Sequence, residues 1–360
     1  MATDNRIHFV SNSLKPRIKH SRFYIYYSTM GYLFQIVRDI DPKLRMMIDT
    51  FTLIGFIYFI RFVYHIFSSS LIGFRTHIWS RLIEMDLRNK YGNWALITGA
   101  TDGIGLEYAR QLASKGLNII LVGRNMEKLD NVQMELLNST QKQIEVVKVL
   151  ADFNSEDQNL FIRLKHEIDP MHRDIGILIN NAGVMFDSPN RFLDQPESKI
   201  WQHVRVNMLA VVMMTRIVLP QMVKKKRGLI VNLSSIAGYQ PLPLMGLYSA
   251  SKIFVEWFSR SLDIEYRQFN IEIQTLIPNY IGTKMTSFSS LLQNHSIFYP
   301  NAKTFTANAI ATIGRNKLTT GYWCHDLMNF FTKLLVSDRL YRSISWYFLK
   351  KIDNSEEKLN

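Results

Sequence analysis

The chain has 360 residues, 47% of them hydrophobic and 20% charged, a composition typical of a globular protein with one large α/β domain and room for an additional segment. The single cysteine, Cys324, excludes an internal disulfide, and no Cys/His spacing matches a structural zinc site, so we predict no metal centre. The net charge is +13, and the first 91 residues contain 13 basic and 6 acidic residues. This positive charge suits an anionic membrane face or an acidic ligand. Nucleic acid is a less favoured partner, because the sequence has no zinc-finger, RNP or basic-zipper pattern.

The first 90 residues predict a membrane-associated head. Residues 1–45 are basic and aromatic and lack a secretory h-region with a cleavage site, although their composition leaves a mitochondrial presequence as an alternative. Within the predicted hydrophobic segment 46–90, the stretch 51–74 has the ~20 mostly apolar residues that a bilayer span needs, with Arg61 near its middle. The pattern favours membrane attachment over a helix buried against the next domain, and it leaves open whether the helix spans the bilayer or lies in its interface.

Short apolar strands alternate with helical stretches in a predicted catalytic domain over residues 91–325. The predicted strands are Trp94–Thr98, Leu117–Val122, Ile144–Leu150, Ile175–Ile179, Leu229–Leu233, Ile271–Ile277 and Thr320–Trp323. The predicted helices are Gly103–Lys115, Asn125–Asn138, Ser155–Glu167, Glu197–Val223 and Leu247–Phe269. This alternation predicts an α/β fold, a doubly wound Rossmann-type parallel sheet with an N-terminal hydrophobic, membrane-associated helical segment. Residues 326–360 predict an amphipathic C-terminal helix and tail, with a helix that caps the sheet as the alternative.

A glycine-rich turn follows the first predicted strand and precedes a helix. Gly99, Gly103 and Gly105 would let the backbone approach a pyrophosphate, whose charge suits the N-H groups of the helix N-terminus. The T-G-x-x-x-G-x-G spacing, together with the motifs below, resembles the short-chain dehydrogenase/reductase family. The resemblance implies a dinucleotide cofactor that also contacts Thr101 and Ile104 in this turn.

The end of the second predicted strand indicates NADPH as the cofactor. An NAD-selective site usually has an Asp or Glu there, whereas this chain has Gly123 and Arg124, and a guanidinium pairs well with a 2′-phosphate. We therefore predict NADP(H), the alternative being that Arg124 is an ordinary surface arginine. The resemblance adds four further cofactor contacts: Asp152 at the adenine ring, and Asn181, Ala182 and Gly183 of an N-N-A-G element that lines the cleft.

Tyr248 and Lys252 are spaced to lie on one face of a helix. An adjacent cation is expected to lower the pKa of the phenol towards the useful acid/base range. With Ser235 at a strand end and Asn207 in the preceding long helix, the set resembles the family's Asn, Ser, Tyr, Lys tetrad. The resemblance implies that Tyr248 is the general acid and that Lys252 binds the nicotinamide ribose and tunes Tyr248. It also implies that Ser235 polarises the carbonyl and that Asn207 holds a water of the proton relay.

Three further features surround this tetrad. Ser234 is a second candidate for the serine role, but it should face the other way along its strand. Pro278 and Thr283 resemble the family's P-G-x-x-x-T stretch, which implies a contact of Thr283 with the nicotinamide amide or the diphosphate, while Asn279 replaces the usual glycine. Residues 284–299 would then form a substrate loop. Its apolar side chains suggest an apolar ligand or, alternatively, an ordinary buried loop helix: Met285, Phe288, Leu291, Leu292, Ile297 and Phe298.

The apolar head and Thr319-Thr-Gly-Tyr-Trp323 narrow the resemblance to one branch of the family. That branch holds the 17β-hydroxysteroid dehydrogenases of types 3 and 12 and the very-long-chain 3-ketoacyl-CoA reductases. Within the branch, the sequence motifs most resemble those of the hydroxysteroid dehydrogenase-like subgroup. That subgroup is regarded as inactive because it has lost the catalytic tyrosine, whereas Tyr248 is present here.

The resemblance implies a membrane-associated, NADPH-dependent ketoreductase of a lipid-like ketone, either a 3-ketoacyl-CoA or a 17-keto/hydroxy steroid. It places the protein at the endoplasmic reticulum membrane, with the mitochondrion as the alternative, and it implies a homodimer formed through the long helices after strands four and five. Two other readings remain: a catalytically weak or inactive dinucleotide-binding scaffold at an organelle membrane, and a soluble reductase whose apolar head is a dimerisation helix.

Overall fold

The computed structural model describes residues 31–32, 35–36, 42–140, 143–168, 173–286 and 296–356. Contacts divide the chain into two units, Met1–Ser70 and Leu71–Asn360. Most of the predicted basic segment 1–45 lies outside the described residues, as do three side chains of the predicted substrate loop, Phe288, Leu291 and Leu292. The predicted domain boundaries at residues 45, 90 and 325 stay predictions.

A long apolar helix, α1 (Pro42–Phe74), is at the position predicted for the hydrophobic segment, and none of its residues is buried. The helical run continues through a π-helical turn to Leu82, giving 41 residues that are long and apolar enough to cross a membrane. Large side chains such as Phe51 and Tyr64 are 66% and 70% exposed. Towards the end of the run, in the second unit, Thr76 and His77 are instead buried. The apolar helix is thus confirmed, while its location in a membrane stays a prediction.

The second unit is built on a seven-stranded sheet in which every pair of neighbouring strands is parallel. The strands are β1 (Trp94–Thr98), β2 (Asn118–Gly123), β3 (Val146–Leu150), β4 (Ile175–Asn180), β5 (Gly228–Leu233), β6 (Ile271–Leu276) and β7 (Leu318–Thr319). Their order is β3-β2-β1-β4-β5-β6-β7. The chain therefore winds outwards from β1 in one direction and then from β4 in the other, which is the predicted doubly wound Rossmann-type sheet.

Helices cover both faces of this sheet. They are α2 (Leu87–Tyr91), α3 (Gly103–Ser114), α4 (Met126–Ser139), α5 (Leu160–Ile168), α6 (Glu197–Lys225), α7 (Gly246–Tyr266), α8 (Ala302–Ala311), α9 (Trp323–Leu335) and α10 (Asp338–Glu356). Alternate residues of β1 enter opposite cores: Ala95 packs with α3, α4 and α8, whereas Leu96 packs with α5, α6 and α7. This alternation follows from the period of two along a strand and produces a three-layer fold.

Helix α6 differs from a regular helix in its middle. Its first part, Glu197–Gln202, and its last part, Ala210–Lys225, are α-helical, but His203–Leu209 is π-helical. The helix is long and apolar enough to cross a membrane, yet it buries residues such as Met214 in the core against the sheet. Its apolar character is therefore explained by core packing.

Two element predictions are wrong. The last strand is β7 at Leu318–Thr319 and not Thr320–Trp323, because Gly321 turns the chain at φ +76 and Trp323 already begins α9. Helix α5 begins at Leu160 rather than at Ser155. In the intervening turn, Ser155 Oγ accepts from the Asp157 N-H at 3.1 Å and Asp157 Oδ1 accepts from the Asn159 N-H at 2.9 Å. Such local side-chain bonds compete with the helix ladder.

Candidate active site

The predicted site residues meet at one edge of the sheet. The strands are parallel, so β1, β4, β5 and β6 all end at the same edge, and the glycine turn, the N-N-A-G element, Ser235 and Pro278 follow these four ends. The winding direction reverses between β1 and β4, and in open α/β sheets a crevice for ligands forms at such a point. The fold therefore brings the two halves of the predicted site together.

The turn between β1 and α3 has a shape that requires glycine. Gly99 and Gly103 have φ values of +65 and +54, in the left-handed region that residues with a Cβ rarely adopt. A Cβ on Gly105 would lie 2.3 Å from the Gly99 carbonyl oxygen and 2.3 Å from Asn181 Nδ2. Asp102 caps α3, its carboxylate accepting from the Gly103 N-H at 2.8 Å. This backbone cradle at a helix N-terminus fits a dinucleotide pyrophosphate.

Asn181 holds the cradle from β4. Its side-chain amide donates to the carbonyl oxygens of Thr98 at 2.9 Å and Gly99 at 3.1 Å. The backbone N-H groups of Asn181 and Ala182 both donate to Thr98 Oγ1 at 3.0 Å. The N-N-A-G element therefore fixes the turn on which the cofactor would lie, in addition to lining the cleft.

The segment after β6 packs against the same turn. Thr283 lies beside Gly103, with its Cγ2 3.4 Å from the position of a Cβ built on that glycine. Lys284 Nζ forms a 2.6 Å ion pair with Asp102 Oδ2, and the Pro278 carbonyl accepts from the Ile236 N-H at 3.0 Å. Thr283 is therefore placed next to the phosphate cradle, as its predicted contact with the cofactor requires.

Arg124 and Asp152 follow β2 and β3, on the other side of the glycine turn, and both are exposed. A Cβ on Gly123, the residue before Arg124, would lie 3.2 Å from Thr101 Cγ2, so the strand end touches the turn. No carboxylate of the described residues forms an ion pair with Arg124, which leaves the guanidinium available to an anionic ligand. Asp152 Oδ1 accepts from the Asn154 N-H at 3.0 Å, a bond that fixes its local loop.

Tyr248, Ser235 and Lys252 form a cluster between the end of β5 and the first turns of α7, in which Tyr248 and Lys252 are buried and Ser235 is half-buried. Ser235 lies close enough to the Tyr248 hydroxyl to lower the pKa of the phenol, and its Oγ accepts from the Ala237 N-H at 3.1 Å. Lys252 Nζ lies 5.6 Å from the centre of the Tyr248 ring and donates to the Leu233 carbonyl at 3.3 Å. Ser234 Oγ instead donates to the Lys252 carbonyl at 2.6 Å, so this neighbouring serine is turned away from the phenol, as predicted.

Burial dominates the protonation of this cluster. It raises the pKa of Tyr248 to about 12, against a lowering by the Ser235 hydrogen bond, and it lowers the pKa of Lys252 to about 8. The net shift of the Tyr248 pKa is therefore upward, opposite to the direction expected from the neighbouring Lys252. The phenol stays protonated at neutral pH, which is the state that a proton donor needs.

Asn207 is buried in the π-helical part of α6 and bonded on both sides of its amide. Its Oδ1 accepts from the Val184 N-H at 2.8 Å, and its Nδ2 donates to the Val184 carbonyl at 2.9 Å and to Ser251 Oγ at 3.2 Å. A Cβ on Gly183 would lie 3.5 Å from both Asn207 Oδ1 and Lys252 Nζ. In this geometry Asn207 ties the segment after β4 to α7, and the predicted relay water stays a prediction.

His203, also in the π-helical part of α6, is a site residue that the sequence analysis missed. Its ring stacks on Phe186 at a centroid distance of 4.0 Å and meets the Tyr248 ring edge-on at 6.3 Å. Nδ1 bonds the Lys199 carbonyl at 2.7 Å, and burial lowers the pKa of the ring. The sequence did contain a signal for His203. It lies four residues before Asn207, and this spacing places two side chains on the same side of a helix.

His325, near the start of α9, is a second missed residue. It is fully buried; its Nε2 bonds the Phe298 carbonyl at 3.0 Å, and its Nδ1 accepts from the Asn279 N-H at 3.4 Å. Burial lowers the pKa of His325 to about 4, so the neutral ring joins the two ends of the segment that contains the predicted substrate loop. The sequence offered no signal for this contact, since Asn279 and His325 belong to distant segments.

A cavity of about 180 Å³ adjoins the cluster of Ser235, Tyr248 and Lys252, which we call the catalytic corner. Its lining includes Ile236, Tyr239, Asn279, Tyr280, Met328 and Tyr341. Nearby Tyr280 contributes to the raised pKa of Tyr248, so the cavity and the phenol are neighbours. The Oδ1 of Asn279 is buried without a hydrogen-bond partner among the described residues. The residue that replaces the usual glycine thus lines the cavity and keeps a buried carbonyl oxygen without a partner among these residues.

The doubly wound sheet, the glycine cradle and the Ser–Tyr–Lys cluster define a dinucleotide-dependent oxidoreductase. The family model described as short chain dehydrogenase matches residues 93–292. The chain belongs to the short-chain dehydrogenase family.

Three similar proteins locate it within that family. An inactive hydroxysteroid dehydrogenase-like protein 1 from Pongo abelii is 37% identical over 83% of this chain and 90% of its own length. A very-long-chain 3-oxoacyl-CoA reductase from Anas platyrhynchos is 39% identical over 68% of this chain and 76% of its own. A short-chain dehydrogenase from Sphingobium yanoikuyae, solved in complex with NADPH, is 28% identical with a TM-score of 0.56, covering 63% of this chain and 86% of that one. The branch and the cofactor class predicted from the sequence agree with these relatives.

Proposed function

We propose that this protein is a membrane-associated, NADP(H)-dependent oxidoreductase that reduces a keto group of a lipid substrate. The observation that carries the proposal is the buried Tyr248 phenol with Ser235 beside its hydroxyl and Lys252 Nζ 5.6 Å from its ring, at the sheet edge that also holds the glycine cradle. Such a group can deliver a proton to a substrate oxygen.

In the proposed reaction, bound NADPH supplies a hydride to the carbonyl carbon. Ser235 holds the carbonyl oxygen, and Tyr248 donates its proton to that oxygen as the C-O π bond breaks. The phenolate that forms next to Lys252 is stabilised by the ammonium charge and regains a proton from water. Asn207 keeps the segment after β4 fixed against α7. A pKa of about 12 for Tyr248 favours the reductive direction, because the phenol begins the reaction protonated.

The preference for NADPH over NADH is attributed to Arg124. Its guanidinium is exposed at the end of β2, where the adenosine ribose of a cofactor lying across the glycine cradle would end. The neighbour solved with NADPH supports this cofactor. The remaining contacts proposed for it are those of the cradle and its surroundings: Gly99, Thr101, Gly103, Ile104, Gly105, Asp152, Asn181, Ala182, Gly183, Pro278 and Thr283.

The substrate is proposed to be a 3-ketoacyl-CoA or a 17-keto/hydroxy steroid. The relative named as a very-long-chain 3-oxoacyl-CoA reductase supports the first, and the hydroxysteroid dehydrogenase-like relative supports the second. The exposed apolar run Pro42–Leu82 supports attachment to a membrane, for which the endoplasmic reticulum is the first candidate and the mitochondrion the second.

A homodimer is proposed to form through α6 and α7. Large apolar side chains on these helices are exposed: Leu209 is 42%, Trp257 65% and Ile264 73% accessible. Exposed apolar surface of this kind is typical of a subunit interface.

The competing proposal is a dinucleotide-binding scaffold without turnover. It is supported by relatives that are named inactive and are as similar to this chain as the reductases are. Against it stands the Tyr248 cluster, because a scaffold has no need of a buried phenol with Ser235 beside its hydroxyl.

Turnover by the detergent-solubilised full chain separates these proposals. NADPH absorbance would be followed with a 3-ketoacyl-CoA, with estrone and with androstenedione, for the wild type, for Tyr248→Phe and for Tyr266→Phe. Tyr266 is the matched control, since it lies on the same helix but packs with Phe269 in the core that contains Leu96, away from the cluster of Tyr248. Turnover that only Tyr248→Phe abolishes supports the enzyme. NADPH binding without turnover on any of the substrates supports the scaffold.

A further inference from the structure

The two C-terminal helices α9 and α10 form a wall of the active site with their inner faces. Met328 of α9 and Tyr341 of α10 line the cavity. Leu349 of α10 is buried in one cluster with Phe186 and Tyr248. The helix pair is also tied to the active-site loop after β5, because Gln240 Nε2 donates to Asp338 Oδ1 at 2.8 Å.

The outer faces of the same helices are apolar and exposed. On α9 the residues Trp323, Leu327, Phe331 and Leu334 recur at helical spacing and are 38–48% exposed. On α10 the corresponding stripe is Leu340, Ile344, Tyr347 and Phe348, which are 47–75% exposed. In a surface helix of a water-soluble domain this face would be polar. Two consecutive helices with apolar outer stripes therefore indicate a surface that another molecule covers when the protein functions.

The charges around these stripes are basic. From Val336 to Lys351 the basic residues are Arg339, Arg342, Lys350 and Lys351, and the one acidic residue is Asp338. Lys333 of α9 instead lies over the Tyr239 ring at 4.7 Å and lines the cavity, and Asp353 and Glu356 follow the apolar stripe in the last turns of α10. Asp326 is bonded to His77 Nε2 at 2.6 Å, and Asp338 accepts a hydrogen bond from the Gln240 amide at 2.8 Å, so these two carboxylates are held by residues outside the helix pair. Basic residues that flank apolar and aromatic stripes are typical of helices that lie in an anionic membrane interface.

We propose that the outer faces of α9 and α10 are a membrane-binding surface for an anionic lipid bilayer. The apolar stripes insert below the headgroups, and the Lys and Arg side chains extend to the phosphates. A second copy of the chain fits this surface less well, since a two-fold interface would bring the same basic flanks together. This contact is separate from the apolar helix α1, and it places lipid against the outer side of the cavity wall.

One consequence concerns the route of the substrate and rests on the proposed function. A lipid-like ketone dissolved in the bilayer would reach the cavity past Met328 and Tyr341, without crossing water. The lipid contact itself does not depend on turnover, so its test uses no activity measurement.

The test places a reporter at single sites of the full chain. Cysteine would be introduced as Tyr347→Cys and as Leu327→Cys, with Met134→Cys on α4 and Ile162→Cys on α5 as controls of comparable exposure, 55% and 58%, on the two faces of the sheet. The native Cys324 is buried, and unsubstituted protein measures its background. Each protein is labelled with the fluorophore NBD and reconstituted into phosphatidylcholine vesicles with and without about 30% phosphatidylserine, which carries the headgroup charge.

We expect blue-shifted emission at positions 347 and 327 in phosphatidylserine vesicles, with at least about twofold more quenching by nitroxide-labelled lipid than at the controls. The double variant Arg339→Glu/Lys350→Glu should reduce that quenching with no change in melting temperature. Equal quenching at all four sites, or emission at 347 that matches the controls, would overturn the proposal. A blue shift without lipid quenching would also overturn it and assign the surface to a second copy of the chain.

Discussion

The cofactor cradle and the catalytic corner lie at the same edge of the sheet but are held in different ways. The cradle is formed by the backbone conformation, because Gly99 and Gly103 adopt positive φ values and a Cβ at position 105 has no room. The catalytic corner depends on burial, which moves the pKa values of Tyr248 and Lys252 in opposite directions. Substitutions should therefore damage the cradle through sterics, and pH should affect the corner through charge.

The largest effect is expected for Gly105→Ala. The new Cβ would lie 2.3 Å from the Gly99 carbonyl oxygen, so the turn must move, at a cost of about 1–3 kcal/mol typical of overpacked sites. NADPH affinity, measured by fluorescence titration, should fall by at least about a hundredfold, because the cradle would lose its shape. Gly246→Ala is the matched control, as a Cβ there meets nothing within 4 Å. Wild-type affinity in Gly105→Ala would show that the cradle does not hold the cofactor.

Arg124→Glu tests the proposed pairing of Arg124 with the 2′-phosphate of the cofactor, by changing a charge and not the shape of the cradle. The KM for NADPH should rise roughly ten- to a hundredfold, as expected for loss of a guanidinium–phosphate pair and its replacement by a repelling carboxylate, while the KM for NADH changes little. Steady-state kinetics with both cofactors measure the ratio. Equal changes for NADPH and NADH would remove Arg124 from cofactor selection.

The catalytic corner should show its burial in a pH profile. Lys252 has a pKa lowered to about 8, so it is charged below that pH and neutral above it. Because the ammonium stabilises the developing phenolate, kcat/KM should fall up to about tenfold per pH unit as pH rises through about 8. Tyr248, at about 12, stays protonated throughout this range. In Lys252→Arg any remaining activity should lose this falling limb; a limb that persists in the variant would assign the titration to another group.

The smallest effect on catalysis is expected at His325, which bonds Asn279 of the cavity lining but belongs to neither the cradle nor the catalytic corner, so its signature is a change of stability with pH. Its pKa is lowered to about 4, below that of the unfolded chain, so the unfolded state binds more protons between these values and stability falls as pH drops from about 6.5 to 4. The loss is at most about 3 kcal/mol. Melting temperatures of the wild type and of His325→Gln across this range measure it. A wild-type slope no steeper than that of the variant would contradict the buried neutral ring.

The cradle was predictable from the sequence, whereas the C-terminal part was predictable in its helical character but not in its boundaries and long-range contacts. A strand, a glycine turn and a helix form one local unit, so spacing alone located Gly99, Gly103 and Gly105. The strand predicted at Thr320–Trp323 failed because its ending depends on Gly321 and on the bond from the Thr320 N-H to Asp326. The contact of Leu349 with Tyr248 joins residues far apart in the chain, and no local pattern encodes it.

The catalytic corner was predictable in its members but not in its electrostatics. The spacing of Tyr248 and Lys252 on one helix identified the pair, and the alternation along the strand separated Ser235 from Ser234. The sequence could not show how deeply the pair is buried, so the expected direction of the Tyr248 pKa was wrong. Depth is set by Phe186, Met245 and Leu349, which come from three different segments.

Transfer of deuterium from NADPH to the substrate carbon tests the central claim most directly. The full chain, in lipid, would be incubated with NADPH that carries deuterium at both positions of nicotinamide C4 and with each candidate ketone, and the alcohol product analysed by mass spectrometry. We predict one deuterium on the carbinol carbon with the wild type and with Tyr266→Phe, and none with Tyr248→Phe. Unlabelled or absent product from the wild type with every ketone, in spite of measured NADPH binding, would contradict the account.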